Sequence, residues 1–176
     1  DGDENSDVIS GTTTGNIYAI SSDAGVAVWS TTIGNAFITE IKIVDDIDGD
    51  RVQDIFVSGI NPNVYLLSGK SGQVIWQQNT GGNVLSKAVL GDLNADGLPE
   101  LATGSLTVNK VDVFDGNMGT PLFSYSFGSG GDNPVDGLTS IGDIDKNGSL
   151  EFSAGNRGGR VIAFSGGTDV PVGVNF

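Results

Sequence analysis

Aspartates, with asparagine or glutamate in their place, recur at alternate positions in four stretches of this 176-residue chain. The fullest runs Asp46-Ile47-Asp48-Gly49-Asp50-Arg51-Val52-Gln53-Asp54. Another is Asp92-Leu93-Asn94-Ala95-Asp96-Gly97-Leu98-Pro99-Glu100, and a further one is Asp143-Ile144-Asp145-Lys146-Asn147-Gly148-Ser149-Leu150-Glu151. The N-terminal stretch, Asp1-Gly2-Asp3-Glu4-Asn5-Ser6-Asp7, keeps the cadence without its opening position. Carboxylates at positions 1, 3 and 5 of a tight loop converge on one centre, where their mutual repulsion costs about a few kcal/mol. A hard divalent cation reverses that sign, and calcium takes about six to eight oxygens from carboxylates, amides, backbone carbonyls and water.

The pattern predicts three to four structural calcium ions. In chain order, the first loop offers Asp1, Asp3, Asn5 and Asp7. The second offers Asp46, Asp48 and Asp50, the Val52 carbonyl, and Asp54 to close the shell. The third offers Asp92, Asn94, Asp96, the Leu98 carbonyl and Glu100. The fourth offers Asp143, Asp145, Asn147, the Ser149 carbonyl and Glu151. Asparagine keeps an oxygen but drops a charge, so the last two loops are expected to bind more weakly. The closing acid falls at position 9 instead of 12 and the flanks read as strands, which separates these loops from EF-hands. A lone Asp-Gly turn is explained by turn formation alone. Four loops in phase, holding 14 of the 22 acidic residues with Asp45 counted and Glu4 left out, favour metal. Magnesium demands a stricter octahedron, so calcium leads.

Other chemistry is scarce. The chain has no histidine and no cysteine, which removes the common general bases, nucleophiles and soft-metal ligands. The remaining acids, Glu40, Asp112, Asp115, Asp132, Asp136 and Asp169, show no repeated carboxylate pair of the glycosidase kind. Asp23 and Asp115 fall in turns, and Lys70 and Lys110 read as solvated turn charges. Catalysis is therefore not expected. A net charge of −14 repels nucleic acid and anionic lipid. No apolar run approaches the roughly 18 residues of a membrane span.

The elements that position the loops repeat with them. After each loop comes an apolar run such as Ile55-Phe56-Val57, then Ile17-Tyr18-Ala19-Ile20, Val64-Tyr65-Leu66-Leu67, Val111-Asp112-Val113-Phe114 or Val161-Ile162-Ala163-Phe164. A turn follows, ending at Gly25, Gly72, Gly119 and Gly167, and then an aromatic strand in three of the four copies. Trp29, Trp76 and Phe123 are spaced 47 residues apart, a phase that predicts packing between repeats. The fourth copy departs, with Val170-Pro171 in that place. A further strand, Ala36–Val44, Val84–Leu90 or Val135–Ile141, precedes each complete loop. Four antiparallel strands per roughly 40–50 residues is the arithmetic of a β-propeller blade. The expected fold is all-β, a single array over 1–176 with blades near 1–34 (lacking its first strand), 35–81, 82–131 and 132–176.

The motif D-x-D-x-D-G-x-x-D at Asp46–Asp54, followed by Ile55-Phe56-Val57-Ser58-Gly59, resembles the FG-GAP-like repeats of integrin α-type and related calcium-loop propellers. Leu101-Ala102-Thr103-Gly104 and Phe152-Ser153-Ala154-Gly155 continue the other loops in the same way. The stretch Tyr65–Trp76 is also similar to quinoprotein-type blades. The resemblance implies a propeller, commonly of about seven blades, with structural calcium, extracellular or at the cell surface. It implies adhesion, binding or scaffolding toward a protein or glycan ligand. Two alternatives follow from the same residues: a self-assembling filament or surface-layer subunit completed by strand exchange with copies of itself, and the propeller part of a polysaccharide-active enzyme. The sequon Asn147-Gly148-Ser149 lies within a metal loop and is discounted.

Overall fold

The computed structural model describes residues 2–3, 5–34, 36–128, 133–166 and 174–175, the last two as backbone only. Among these the chain forms four antiparallel sheets joined in sequence order. The first holds three strands, β1 (Val8–Gly11), β2 (Asn16–Ile20) and β3 (Ala27–Thr32). The second is β4 (Ile38–Val44), β5 (Asp54–Gly59), β6 (Asn63–Leu67) and β7 (Val74–Asn79). The third is β8 (Val84–Val89), β9 (Leu101–Ser105), β10 (Lys110–Phe114) and β11 (Pro121–Ser126). The fourth is β12 (Val135–Gly142), β13 (Glu151–Asn156), β14 (Val161–Phe164) and β15 (Val174–Asn175). Each sheet is a simple meander, and each acidic loop joins a sheet's first strand to its second. The first loop instead precedes β1.

Alternation explains why the middle strands read as unbroken apolar runs. In β5 and β6, Ile55, Val57, Tyr65 and Leu67 pack toward the first sheet with Ile17 and Ile33. Phe56, Val64 and Leu66 point the other way and pack with Leu101 and Phe114 of the third sheet. Ala102, Val111 and Val113 then meet Phe152, Ile162 and Phe164 of the fourth. A sheet covered on both faces needs apolar residues at both parities. Three cores thus lie between successive sheets, and β5 is buried along its whole length.

The phased aromatics tie neighbours together, as their period predicts. Trp29 of β3 donates its Nε1–H to the Gly69 carbonyl of the next sheet at 2.8 Å. Trp76 of β7 does the same to Gly116, also at 2.8 Å. The rings lie over Gly72 and Gly119, both at positive φ (70° and 67°), where a Cβ would come within 2.4 and 2.5 Å of the indoles. Phe123 has no N–H to offer and instead meets Phe164 edge-on, centroids 5.2 Å apart.

Two lysines depart from their expected surroundings. Lys110 opens β10 and pairs with the buried Asp112 at 3.0 Å, because a strand end brings it beside a carboxylate two residues on. It is not a solvated turn charge. Lys87 of β8 is only 2% exposed and bonds Ser58 Oγ across the sheet interface at 2.7 Å. Its nearest carboxylate, Glu40, is taken by Lys42 at 2.7 Å and by the Lys87 backbone N–H at 3.0 Å. Burial pulls the Lys87 amine down to about 8, with Glu40 opposing and Lys42 assisting.

Replacing Lys87 by methionine removes a buried ammonium without orphaning Glu40, which keeps Lys42. We expect K87M to be more stable than the parent at pH 7, by about 1–3 kcal/mol. The difference narrows as pH rises. Between about pH 8 and the ordinary lysine value near 10.5, the folded parent is neutral while its unfolded chain still holds the proton. Parent stability therefore rises relative to K87M through that window. Urea denaturation of both proteins at pH 7 and pH 10 checks this; a variant less stable than the parent at pH 7 contradicts it.

Candidate metal centres

Each complete loop is wound around its first aspartate. Asp46 accepts the backbone N–H of Gly49 at 2.7 Å, Asp50 at 3.1 Å and Arg51 at 2.7 Å. Asp92 accepts Asp96 and Gly97 at 3.1 and 2.9 Å, and Asp143 accepts Asn147 and Gly148 at 3.1 and 3.0 Å. The winding requires a left-handed backbone at positions 4 and 6. Gly49 and Arg51 have φ of 80° and 72°, Ala95 and Gly97 have 64° and 91°, and Lys146 and Gly148 have 62° and 91°. Each loop therefore carries one non-glycine residue in a region that costs about 1–2 kcal/mol. Such outliers concentrate where surrounding structure enforces them for a purpose.

The fifth position closes an Asx turn in all four loops. Asp3, Asp50, Asp96 and Asn147 each accept the N–H two residues on, at 2.9, 2.9, 2.8 and 2.8 Å. In the first loop this bond from Asn5 lowers the Asp3 carboxyl below its ordinary value. Asp7 accepts the Ser22 N–H at 3.4 Å, and Asn5 reaches Asp23 at 2.8 Å. Asp1 lies outside the described residues, as do Asp132 and Asp169.

Three sets of carboxylates converge, with ligand oxygens within 4.8 Å of one another: Asp46, Asp48 and Asp50; Asp92, Asp96 and Glu100; Asp143, Asp145 and Glu151. The ninth residue behaves differently in the second loop. Asp54 is fully buried, and its oxygens accept the N–H groups of Ile47 at 2.8 Å, Asp48 at 3.3 Å and Gly69 at 3.1 Å. Burial raises its carboxyl above the ordinary value, against those bonds. Glu100 and Glu151 are one methylene longer. One oxygen of each accepts a loop N–H, from Leu93 and from Ile144 respectively. The other, Oε1, is buried with no hydrogen-bond partner. Burial, reinforced by Asp96, Asp92 and Asp115, pushes Glu100 up to about 7.

A buried carboxylate oxygen without a donor costs about 1–3 kcal/mol or more. Two such atoms, each on a glutamate that belongs to a convergent acidic cluster, fit a hard cation in that place. The donor set suits calcium, which accepts carboxylates and carbonyls in irregular numbers.

The turn after each sheet's third strand also reaches its loop. Ser68 Oγ lies 3.2 Å from Asp50 Oδ2, Asp115 Oδ2 lies 3.3 Å from Asn94 Nδ2, and Ser165 Oγ lies 3.1 and 3.2 Å from Asn147 and Asp145. Glycine is required just beyond. A Cβ on Gly69, Gly116 or Gly166 would sit 1.8, 2.0 or 2.3 Å from the carbonyl of Gln53, Pro99 or Leu150, the eighth loop residue. Sequence reasoning did not connect these turn residues to the loops. The signal was the polar-Gly pair directly after the four-residue apolar run in three of the four repeats: Ser68-Gly69, Asp115-Gly116 and Ser165-Gly166.

No protein-family model matches the chain, and none of the curated proteins does. Solved structures do. The C-terminal WD40 domain of Sif2 matches with a TM-score of 0.68 at 11% identity, over 89% of this chain and 39% of that one. BamB from Moraxella catarrhalis gives 0.63 at 22%, over 92% and 47%. BBS1N, solved in complex with ARL6DN, gives 0.64 at 13%, over 98% and 50%. The chain is an array of β-propeller blades.

At these identities the likeness shows the fold alone, and the array spans half or less of each of these three chains. Within the array the four sheets are successive blades, each complete loop links a blade's first and second strands, and the tryptophans bridge to the next blade. Among the described residues no helix is long and apolar enough to cross a membrane.

Proposed function

We propose that this propeller array is a calcium-stabilised, non-catalytic binding or scaffold module of an FG-GAP-like kind, working outside the cell or at its surface. The observation that carries the reading is the pair of buried, unpartnered oxygens on Glu100 and Glu151, each on a member of a phased acidic cluster. Extracellular calcium at about millimolar concentration would keep loops of this charge filled. The absence of histidine and cysteine supports a role without catalysis, as does the use of most loop carboxylates in framing bonds. A protein or glycan ligand would be held by the loops that vary between blades. Calorimetric titration of calcium into chelator-treated, dialysed protein tests the metal reading. Saturable heat from about three sites, with magnesium binding much more weakly, is the expected result. No calcium heat, or equal binding of both ions, overturns it.

A second reading is favoured by β1. Among the described residues its counterparts β5, β9 and β13 are paired on both sides, whereas β1 pairs only with β2, and Val8 is 55% exposed. An open strand edge is a template for a further strand, including one from another copy of the chain. Light scattering across a hundredfold range of protein concentration tests self-assembly; a mass that stays monomeric throughout removes this reading.

A further inference from the structure

We infer that Asp115, fifteen residues beyond the end of the third loop in a different turn of the same blade, belongs to that loop's cation site and replaces the charge missing at Asn94. The inference rests on the calcium reading above and names a residue that the loop motif does not contain.

The position of Asp115 is held by Ser21, Ser68 and Ser165 in the other three blades, directly after β2, β6 and β14. The serines have a local task there. Ser21 Oγ accepts the N–H of Ala24 at 3.2 Å, and Ser68 Oγ accepts that of Ser71 at 3.3 Å, closing the turn. Asp115 performs the same task with one oxygen, Oδ1, which accepts the Met118 N–H at 2.8 Å. Its second oxygen is surplus to the turn. Oδ2 is directed at the loop and lies 3.3 Å from Asn94 Nδ2. The same amide nitrogen lies 3.3 Å from Asp96 Oδ2, so Asp115 and Asp96 converge on Asn94.

Asp115 is 8% exposed and has no basic partner among the described ion pairs, so its charge is costly unless a cation answers it. The independent pointer to that cation is Glu100 Oε1, fully buried and without a hydrogen-bond partner in the same cluster. A tally of carboxylates then explains the exchange. The second blade has Asp46, Asp48, Asp50 and Asp54 with Ser68 in the turn. The third has Asp92, Asp96 and Glu100 with Asn94 at position 3, and Asp115 restores the fourth carboxylate. The fourth blade has Asp143, Asp145 and Glu151 with Asn147 and Ser165, one charge fewer. Ligand charge is a principal control of calcium affinity. The third site should therefore rank with the second, and only the fourth should be weaker.

The test uses the whole chain in three forms: the parent, D115S, and the double variant N94D/D115S. D115S installs the serine of the other blades and so keeps the turn bond. The double variant returns the charge to position 3 of the loop. Calcium affinities are read by competition with a chromophoric chelator, and melting in excess EDTA serves as a control for the fold. One macroscopic affinity should fall about tenfold or more in D115S and recover in N94D/D115S, with closely similar melts in EDTA. Unchanged affinities in D115S overturn the role of Asp115 while leaving the calcium reading intact. A loss that N94D does not repair also overturns it, since the fault would then lie in the turn. A parent that binds no calcium overturns the parent reading itself, and this inference with it.

Discussion

Excess EDTA should lower the melting temperature of this protein by roughly 15–30 °C relative to protein in millimolar calcium. The estimate follows from linkage. A ligand held at about a hundred times its dissociation constant stabilises the folded state by about 2.7 kcal/mol per site, so three filled loops contribute about 8 kcal/mol. In a chain of this size each kcal/mol moves the melt by about 2–4 °C. The structure gives the shift a route into the whole fold. Each cation would neutralise a loop whose eighth-residue carbonyl lies against the turn glycine Gly69, Gly116 or Gly166. Two of those glycines accept the indole N–H of the preceding blade's tryptophan. Loop, turn and neighbouring blade are thus in continuous contact, and loosening the first loosens the interface. Calorimetric melts in calcium, magnesium and EDTA measure the effect. Equal melts in all three would remove calcium from the account of stability.

The second large effect is expected at Trp76. Its ring is 7% exposed, packs against Phe56 and Phe114 with centroids 6.0 and 6.2 Å away, and lies over Gly119. Its Nε1–H bonds the Gly116 carbonyl at 2.8 Å. Replacement by alanine opens a cavity between the second and third blades and leaves that carbonyl without its donor. We expect a loss of about 3–5 kcal/mol, or roughly 6–20 °C in the melt. Phenylalanine should retain most of the packing and lose about 1 kcal/mol with the hydrogen bond. The contrast has a precedent within the chain, because Phe123 occupies the equivalent place in the third blade with ring contacts alone. Trp29→Ala should cost less than Trp76→Ala, since Trp29 is only half-buried on a blade with no described neighbour on its other side. Chemical denaturation of the four proteins orders them. Equal stability of the parent and W76A would mean that the tryptophan does not join the blades.

How legible these features are in the sequence depends on the distance over which each cause acts. The fold depends on local signals repeated in phase. The apolar runs of β5 and β6, the glycines at Gly72 and Gly119 and the 47-residue spacing of the aromatics are all visible without any tertiary information. The loop cadence is equally local. The contribution of the turns is not. Ser68, Asp115 and Ser165 meet their loops only because β5–β6, β9–β10 and β13–β14 fold back as hairpins, which places residues 18 to 21 apart in contact. Asp115 read as an ordinary turn former for that reason. Lys87 was hidden by a different effect. In β8 a lysine suggests a solvent face, yet the preceding blade covers that face and Ser58 supplies the acceptor. The contrast between Asp54 and the two glutamates was also invisible. One methylene decides whether the ninth side chain is saturated by backbone N–H groups or keeps a buried oxygen without a partner.

The central claim is that the phased loops hold calcium through the atoms left without partners. A crystal structure grown in calcium, with anomalous data collected to locate the ion, tests it most directly. The account predicts anomalous peaks in the second, third and fourth loops. In the third and fourth, Glu100 Oε1 and Glu151 Oε1 should lie about 2.3–2.6 Å from the ion. Well-ordered loops with no anomalous peak, or ions bound elsewhere while those two oxygens remain unpartnered, would contradict it.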